Sequence, residues 1–354
     1  MIGKRIAWID WARAIAIIMV IICHSTESVY SMTLNGITTT GIGSQISALS
    51  LFTIGRLGVP LFLFMSGYLM LDRYYDRQAC LKFWKTKWVG LLIATESWIV
   101  IYNLFICLMN AVPLDLFQLA KQMLFLEKIP GMGHMWYMPM IIGLYLFLPF
   151  ISNGLKWLDD AKLLIFPLCI ACSILFITPV ASIVSQSLGG NELNCAIAPG
   201  FSGSYYGCYM LLGYCTKKAT HLPQKSVVFS IGLIAFLATV YLQIFAYNRG
   251  VYAPAWYSNG LLMAAGLNLF VFLAQAKSLK ETKWISIISY YSFALYLVHY
   301  PIKILIAPLV TSAGIPTHAL QVIVLSLCVL AISLVVCWAI ARIPKVGEKL
   351  LYLR

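Results

Sequence analysis

Long apolar runs recur along the whole chain and are separated by short polar connections. A helix that crosses the hydrocarbon core of a bilayer needs about 20 mostly apolar residues. The runs therefore predict about ten transmembrane helices, of which the sixth is the shortest and is rich in small and aromatic residues. The ten predicted spans are 7–30, 49–71, 88–110, 134–154, 163–184, 203–216, 226–247, 255–275, 285–309 and 319–341.

The connections between the predicted spans are too short to hold a soluble domain. The longest are 31–48, 111–133 and 185–202, and the second contains "LDLFQLAKQMLFLEK", which predicts a helix lying in the membrane interface. No internal repeat is visible, so the chain is interpreted as one domain over 1–354. The first apolar run is long and has no small-residue cleavage pattern after it, so we expect no cleavable signal peptide.

The distribution of positive charge gives an orientation to these spans. With the N-terminus in the cytoplasm, 19 of the 25 Lys and Arg residues fall in cytoplasmic segments and three in outer segments. The remaining three, Arg13, Arg56 and Lys303, lie within predicted spans. This asymmetry follows the positive-inside rule. The sequence thus predicts an all-α, polytopic integral membrane protein with both termini in the cytoplasm.

Composition supports a membrane protein and excludes two other classes. The chain is 61% hydrophobic and 10% charged, whereas a soluble domain is nearer half apolar and a quarter charged. Its formal charge of +13 lies in short connections and not on one basic face, so a nucleic-acid partner is not indicated. The ten cysteines are scattered, and the closest pair, Cys169 and Cys172, lies in an apolar run with no second pair at zinc-like spacing, so we expect buried thiols and no metal site.

The first span carries four ionisable residues, Asp10, Arg13, His24 and Glu27. Such groups inside a membrane are costly and mark functional sites. His24 and Glu27 are three residues apart and share a helix face, which is typical of a general base with an orienting acid. Asp10 and Arg13 have the same spacing and are expected to pair near the cytoplasmic end. Arg13 either reaches toward the cytoplasm or binds a ligand whose other end is near His24, about 16 Å along the axis.

Other polar residues are predicted at a similar depth to His24. Arg56 lies inside the second span, His134 begins the fourth at the outer surface, and His299 lies in the outer half of the ninth. Glu96, in the third span, is interpreted as an ion-pair partner for one of the arginines. Lys303 is near an outer end and is expected to extend to the interface.

Four stretches give the chain a resemblance to the acyltransferase-3 family of membrane acyltransferases. They are "WIDWARAIAIIMVIICHS" with Arg13 and His24, "RLGVPLFLFMSGYLM" with Arg56, "HMWYMPMIIGLYLFLPFI" with His134 and Trp136, and "ISYYSFALYLVHYPI" with Tyr296 and His299. The stretches occur in order in the expected spans, and the likeness covers essentially the whole chain. Within the family, the chain most resembles the subgroup that includes the O-acetyltransferase of enterobacterial common antigen.

The resemblance implies a reaction and a set of roles. It implies transfer of an acyl group, expected to be acetyl, from cytoplasmic acyl-CoA to a sugar hydroxyl of a cell-surface glycan, in a bacterial inner membrane. Acyl-CoA is then a donor substrate, and no permanently bound cofactor is expected. His24 and Glu27 are the catalytic candidates. The substrate-binding candidates are Arg13, Arg56, His134, Trp136 and His299.

One motif departs from the family pattern, and other functions stay open. Many members carry R-x-x-R in the first cytoplasmic loop, whereas here three residues separate Arg73 from Arg77. A transporter or flippase of small solutes or lipid-linked sugars would also suit about ten spans with charged groups at depth, although such folds often contain repeats that are not seen here. A non-catalytic membrane subunit is the third reading. Covalent labelling of an acceptor separates the enzyme from both.

Overall fold

The computed structural model describes residues 6–158, 160–197, 204–276 and 278–353, and within these ranges the secondary structure is helical with no strand. Among the described residues, eight helices are long and apolar enough to cross a membrane, and two shorter ones pack with them. In chain order they are α1 Ala7–Val29, α2 Ile42–Met70, α3 Arg77–Asn110, α4 Gly133–Leu158, α5 Ala161–Ser187, α6 Ser204–Lys218, α7 Lys225–Asn248, α8 Gly260–Ala274, α9 Ser292–Thr311 and α10 His318–Ala341.

Each of the ten predicted spans overlaps one of these helices, and two of the helices are shorter than a typical membrane span. Helices α6 and α8 have 15 residues each, which extend about 22 Å and fall short of a hydrocarbon core of about 30 Å. Helix α8 begins at Gly260 and not at residue 255, because Asn259 caps it and the preceding residues 251–259 form a loop. The polytopic helical class is confirmed, and the number of spans and the side of the termini stay predictions.

Two other predicted spans have different limits in the structure. Helix α2 begins at Ile42, so the predicted connection 31–48 is mostly helical, and a break at Leu57 divides α2 into Ile42–Arg56 and Gly58–Met70. Pro60 lies in the first turn of the second half, where its missing amide hydrogen costs no helical bond. The predicted ninth span is split into Lys283–Tyr290 and α9. The predicted interfacial segment does contain a short helix, Leu116–Met123.

Helix α1 occupies the centre of the bundle. It packs against α2, α8, α9 and α10 and against the short helix Lys283–Tyr290. The side chains of Ala12, Ala14 and Ala16 are fully buried along it, and small residues of this kind let membrane helices approach closely. Of the ionisable side chains of this helix, those of Asp10 and His24 are mostly covered by protein, whereas that of Arg13 is 40% exposed.

Helices α2 and α6 cross at very close range through a reciprocal pair of glycines. A Cβ added to Gly67 would overlap the backbone of Met210, and one added to Gly213 would overlap the backbone of Phe64. This crossing holds α6 against the second half of α2. It also sets the position of Tyr205 and Tyr206 at the start of α6, close to the loop 251–259.

Candidate active site

A chain of charged contacts joins α1 to α2. The Nδ1 atom of His24 lies 2.6 Å from one carboxylate oxygen of Glu27, so the predicted i, i+3 pair does form. The other carboxylate oxygen of Glu27 accepts a hydrogen bond of 3.2 Å from the Arg56 guanidinium. Because Nδ1–H of His24 donates to the carboxylate, the lone pair of the imidazole lies on Nε2, where a general base needs it.

Three histidines from three helices meet at this point. The ring of His24 stacks at 5.5 Å on that of His299 from α9, and it lies 6.1 Å from that of His134 at the start of α4. His134 and His299 are 1% and 0% exposed, so protein encloses both rings, and the depth expected for His134 at the outer surface of the membrane stays a prediction. The first four residues of α4, Gly133–Trp136, form a 3-10 turn. His134 lies in this turn and is buried.

The hydrogen bonds of the two buried histidines leave one nitrogen of each without a partner. His299 donates from Nδ1 to main-chain carbonyls of its own helix, so its Nε2 carries a lone pair. Tyr102 donates its proton to the carbonyl of Leu297, so the contact with His134 Nε2 makes that nitrogen the donor and puts a lone pair on Nδ1. Both lone-pair nitrogens are buried without a hydrogen bond, and such atoms await a polar ligand or water.

Several residues that support the histidines were not identified from the sequence. Tyr300 stacks on His134 at 4.1 Å, and its ring lies 5.2 Å from that of His24. The Nζ atom of Lys303 lies 3.8 Å from the centre of the Tyr300 ring, and the residue is only 7% exposed, so the expected extension to the interface is wrong. The sequence does carry a signal for these residues. Their spacing places Tyr296, His299, Tyr300 and Lys303 within two turns of one helix, so Tyr300 and Lys303 are expected close to His299.

Arg56 is held in an aromatic pocket. Its guanidinium carbon lies 4.5 Å from the centre of the Phe52 ring and 4.8 Å from that of Trp256, and one terminal nitrogen donates to the Tyr257 hydroxyl at 3.2 Å. The predicted candidate Trp136 packs against the rings of Trp256 and Tyr257. We call the set Trp136, Tyr205, Tyr206, Trp256 and Tyr257 the aromatic wall.

A cavity of about 600 Å³ lies on the other side of the histidines and runs beside α1. Asp10 and Arg13 line it, and their closest side-chain atoms are 3.9 Å apart, so the predicted pair at this end is a loose one. Asp10 also accepts a hydrogen bond of 2.6 Å from Ser289. The lining reaches Val20, one helical turn before His24, and it includes Tyr296, whose hydroxyl donates to the carbonyl of His134.

The structure does not give Glu96 the ion pair that was expected. Within residues 6–158, 160–197, 204–276 and 278–353, no basic side chain lies within ion-pair distance of Glu96, and its Oε2 atom is buried without a hydrogen bond. Glu96 is on α3, and the charge chain is formed between α1 and α2. It is therefore not placed in the candidate site.

One group of side chains has the composition of a metal site. The ligand atoms of Cys23, His24 and Glu27 lie within 4.8 Å of one another. However, the carboxylate already accepts from both His24 and Arg56, and a guanidinium at 3.2 Å repels a cation. The charges thus favour proton transfer over metal binding, and the absence of a metal stays an expectation.

A bundle with eight helices long and apolar enough to cross a membrane, within the described residues, defines the chain as a multi-pass membrane protein, and a cluster of histidines lies inside that bundle. A family model described as an acyltransferase domain, Acyl_transf_3, matches residues 6–342. The chain therefore belongs to this acyltransferase family and is a membrane acyltransferase. No curated protein and no solved structure matches it significantly.

Proposed function

We propose that the chain is an O-acyltransferase that moves an acyl group, with acetyl as the expected one, from cytoplasmic acyl-CoA to a sugar hydroxyl of a cell-surface glycan. Family membership supports the reaction class. The observation that carries the proposal is the chain His24–Glu27–Arg56, in which a lone-pair nitrogen lies about one helical turn beyond Val20, at the deep end of a large cavity.

The reaction follows from the tautomer of His24. Nε2 takes the proton of the acceptor hydroxyl while the hydroxyl oxygen attacks the thioester carbonyl. The tetrahedral intermediate expels the CoA thiolate, which receives the proton from the imidazolium, so the products are an ester and free CoA. Glu27 stabilises the imidazolium through Nδ1, and Arg56 holds Glu27 in place. A positioned base of this kind is worth about 10²–10⁴-fold in rate.

The donor is proposed to reach the site from the cavity that Arg13 lines. Its deep end, at Val20, lies about 10 Å along α1 from Arg13. The basic side chains of Arg13 and Lys87 belong to the lining, and the remainder is mostly apolar, which suits an anionic head and an extended arm. Orientation by the positive-inside rule makes this the cytoplasmic end.

The proposal is tested with purified protein in detergent, labelled acetyl-CoA and glycans from a strain that lacks the gene. We expect label in the glycan, and a loss of about 10²–10⁴-fold for His24→Ala. The matched control is His221→Ala, since His221 is exposed in a loop. Transfer by His24→Ala at the rate of the parent would contradict the proposal. Mass spectrometry of the product names the acyl group and the acceptor fragment.

The role of Arg13 has its own test. Arg13→Ala is expected to raise the KM for acetyl-CoA several-fold and to leave the KM for the glycan unchanged, because Arg13 lines only the donor cavity. The opposite pattern, with the glycan KM raised alone, would exclude Arg13 from the donor site.

A further inference from the structure

A second large depression lies on the other side of the histidines. It has a volume of about 620 Å³ and is formed by the end of α5, the residues after it and the start of α6. The polar groups that line it are hydroxyls, amides, one thiol and one carboxylate, and they include Ser182, Gln186, Glu192, Asn194, Tyr205 and Ser258. We call it the outer groove, because the C-terminal end of α5 lines it and the positive-inside rule places that end outside.

The outer groove is connected to the charge chain by the aromatic wall. Tyr205 lines the groove and accepts a hydrogen bond of 3.3 Å from Trp256 Nε1. Trp256 lies over the Arg56 guanidinium, and Arg56 holds Glu27. Ser258 lines the groove directly after Tyr257, whose hydroxyl accepts from Arg56. A ligand in the groove would thus contact Tyr205, which bonds the tryptophan that packs on Arg56.

The wall offers ring faces to a ligand. Trp256 is 37% exposed, and Trp136, Tyr205 and Tyr206 are half-buried, although large aromatic residues inside a bundle are usually covered. Tyrosine and tryptophan combine an apolar face with a hydrogen-bonding group. A pyranose has the same two properties, since its C–H face is apolar and its edge carries hydroxyls.

The charge of the groove restricts the ligand further. No lysine or arginine lines it within the described part of the chain, and Glu192 lies at its wall. Anionic groups such as phosphate or uronate would meet a carboxylate there without a cation to pair with. The hydroxyls and amides suit neutral hydroxyl groups instead.

We infer that the outer groove and the aromatic wall form the acceptor subsite, and that it binds a neutral pyranose by ring stacking. The inference rests on the proposed function for the direction of the reaction. It adds Tyr205, Gln186 and Trp256 as specificity residues, and it places the acceptor on the opposite side of the histidines from the donor cavity.

Binding without any donor tests the groove independently of catalysis. Full-length protein in nanodiscs is titrated with neutral trisaccharides of glucose and of N-acetylglucosamine and, for comparison, with a uronic acid trisaccharide, while tryptophan fluorescence is followed. We expect quenching by a neutral trisaccharide only. Tyr205→Ala should weaken this binding about tenfold, and Tyr205→Phe, which keeps the ring, much less. The control is Trp284→Ala, since Trp284 is exposed on another helix.

The outcomes separate this inference from the proposed function. Quenching by no neutral trisaccharide, preference for the uronic acid, or quenching that Tyr205→Ala leaves unchanged would overturn the acceptor subsite. Binding that depends on Tyr205, without label transfer from acetyl-CoA, would keep the subsite and refute the acyl transfer. In the transfer assay, Tyr205→Ala should raise the acceptor KM and leave the KM for acetyl-CoA unchanged, because Tyr205 does not line the donor cavity.

Discussion

Glu27 on the first helix and Arg56 on the second form an ion pair of 3.2 Å, and the same carboxylate binds His24 through its other oxygen. The carboxylate is thus shared between a base and a cation that three aromatic rings enclose. Because Arg56 fixes the carboxylate, the imidazole has one orientation and one tautomer. This is the kind of preorganisation that a general base requires.

Glu27→Gln tests this shared carboxylate. The amide can still accept from Nδ1–H, but it carries no charge to stabilise the imidazolium, so we expect kcat to fall between about 10- and 10³-fold. The KM for acetyl-CoA should stay the same, because Glu27 does not line the donor cavity. Steady-state kinetics with both substrates measure this difference.

The control for Glu27→Gln is the same substitution at a carboxylate whose ion pair lies outside the candidate site. Glu127 pairs with Lys121 at 3.5 Å on the connection after α3, and Glu127→Gln should leave kcat unchanged. If Glu27→Gln lost activity only because less folded protein was recovered, with normal kcat per folded molecule, Glu27 would be structural and not a positioning residue.

Arg56→Lys tests the two contacts that the guanidinium makes at once. Lysine keeps the charge but has no planar fork to bind Glu27 and Tyr257 together. We expect kcat/KM to fall about tenfold or more, with most of the loss in kcat. Arg342→Lys is the control, since Arg342 also stacks on a ring, that of Trp338, at a distance from the site. Equal effects of the two variants would rule out a specific role of the fork.

Helical periodicity was enough to predict the contacts within single helices. His24 and Glu27 share a face whatever the tertiary fold, and so do Asp10 and Arg13. The depth of residues in the predicted spans also brought Arg56, His134 and His299 to the level of His24. In the structure, both histidine rings contact that of His24, and Arg56 reaches it through Glu27. The ion pair proposed for Glu96 was wrong because depth along a helix does not give the direction in which a side chain points.

The contacts of Trp256 and Tyr257 with Arg56 could not be predicted from the sequence, for another reason. Residues 255–259 are apolar enough to be read as the start of a span, yet they form a loop before α8. Trp256 and Tyr257 reach Arg56 from this loop. Irregular backbone at such a position is stable only when protein covers it or a cavity adjoins it. That condition depends on the packing of α5 and α6, which hydropathy does not describe.

Gly213→Val should open the crossing of α2 and α6. The new side chain would overlap the Phe64 backbone, and overpacking costs at least about 1–3 kcal/mol. We expect a lower melting temperature in detergent and a raised acceptor KM, because α6 carries Tyr205. Gly143→Ala on α4 is the control, since nothing lies near its added Cβ. An unchanged melting temperature of Gly213→Val would show that the two helices are not packed as described.

Asp72→Asn tests a cluster that ties the α2–α3 connection to two other helices. Asp72 accepts from Lys156 at 2.7 Å and Lys217 at 3.2 Å, and Lys218 lies at 3.5 Å. Burial raises the pKa of Asp72, but the hydrogen bonds from Lys156 and Lys217 outweigh it and lower the pKa to about 2. The folded state therefore binds this proton less readily than the unfolded chain, whose Asp has a pKa near 3.8.

It follows that the stabilisation by Asp72 is fully present above pH 4 and is lost as the pH falls toward 2. The melting temperature of the parent protein in detergent should exceed that of Asp72→Asn at pH 6, and the two should converge at low pH. Glu281→Gln, an exposed carboxylate in the connection before the helix Lys283–Tyr290, should follow the parent at every pH. A constant difference between parent and Asp72→Asn from pH 6 to pH 2 would mean that the ion pairs do not stabilise the fold. The loss in Asp72→Asn would then come from its neutral hydrogen bonds alone.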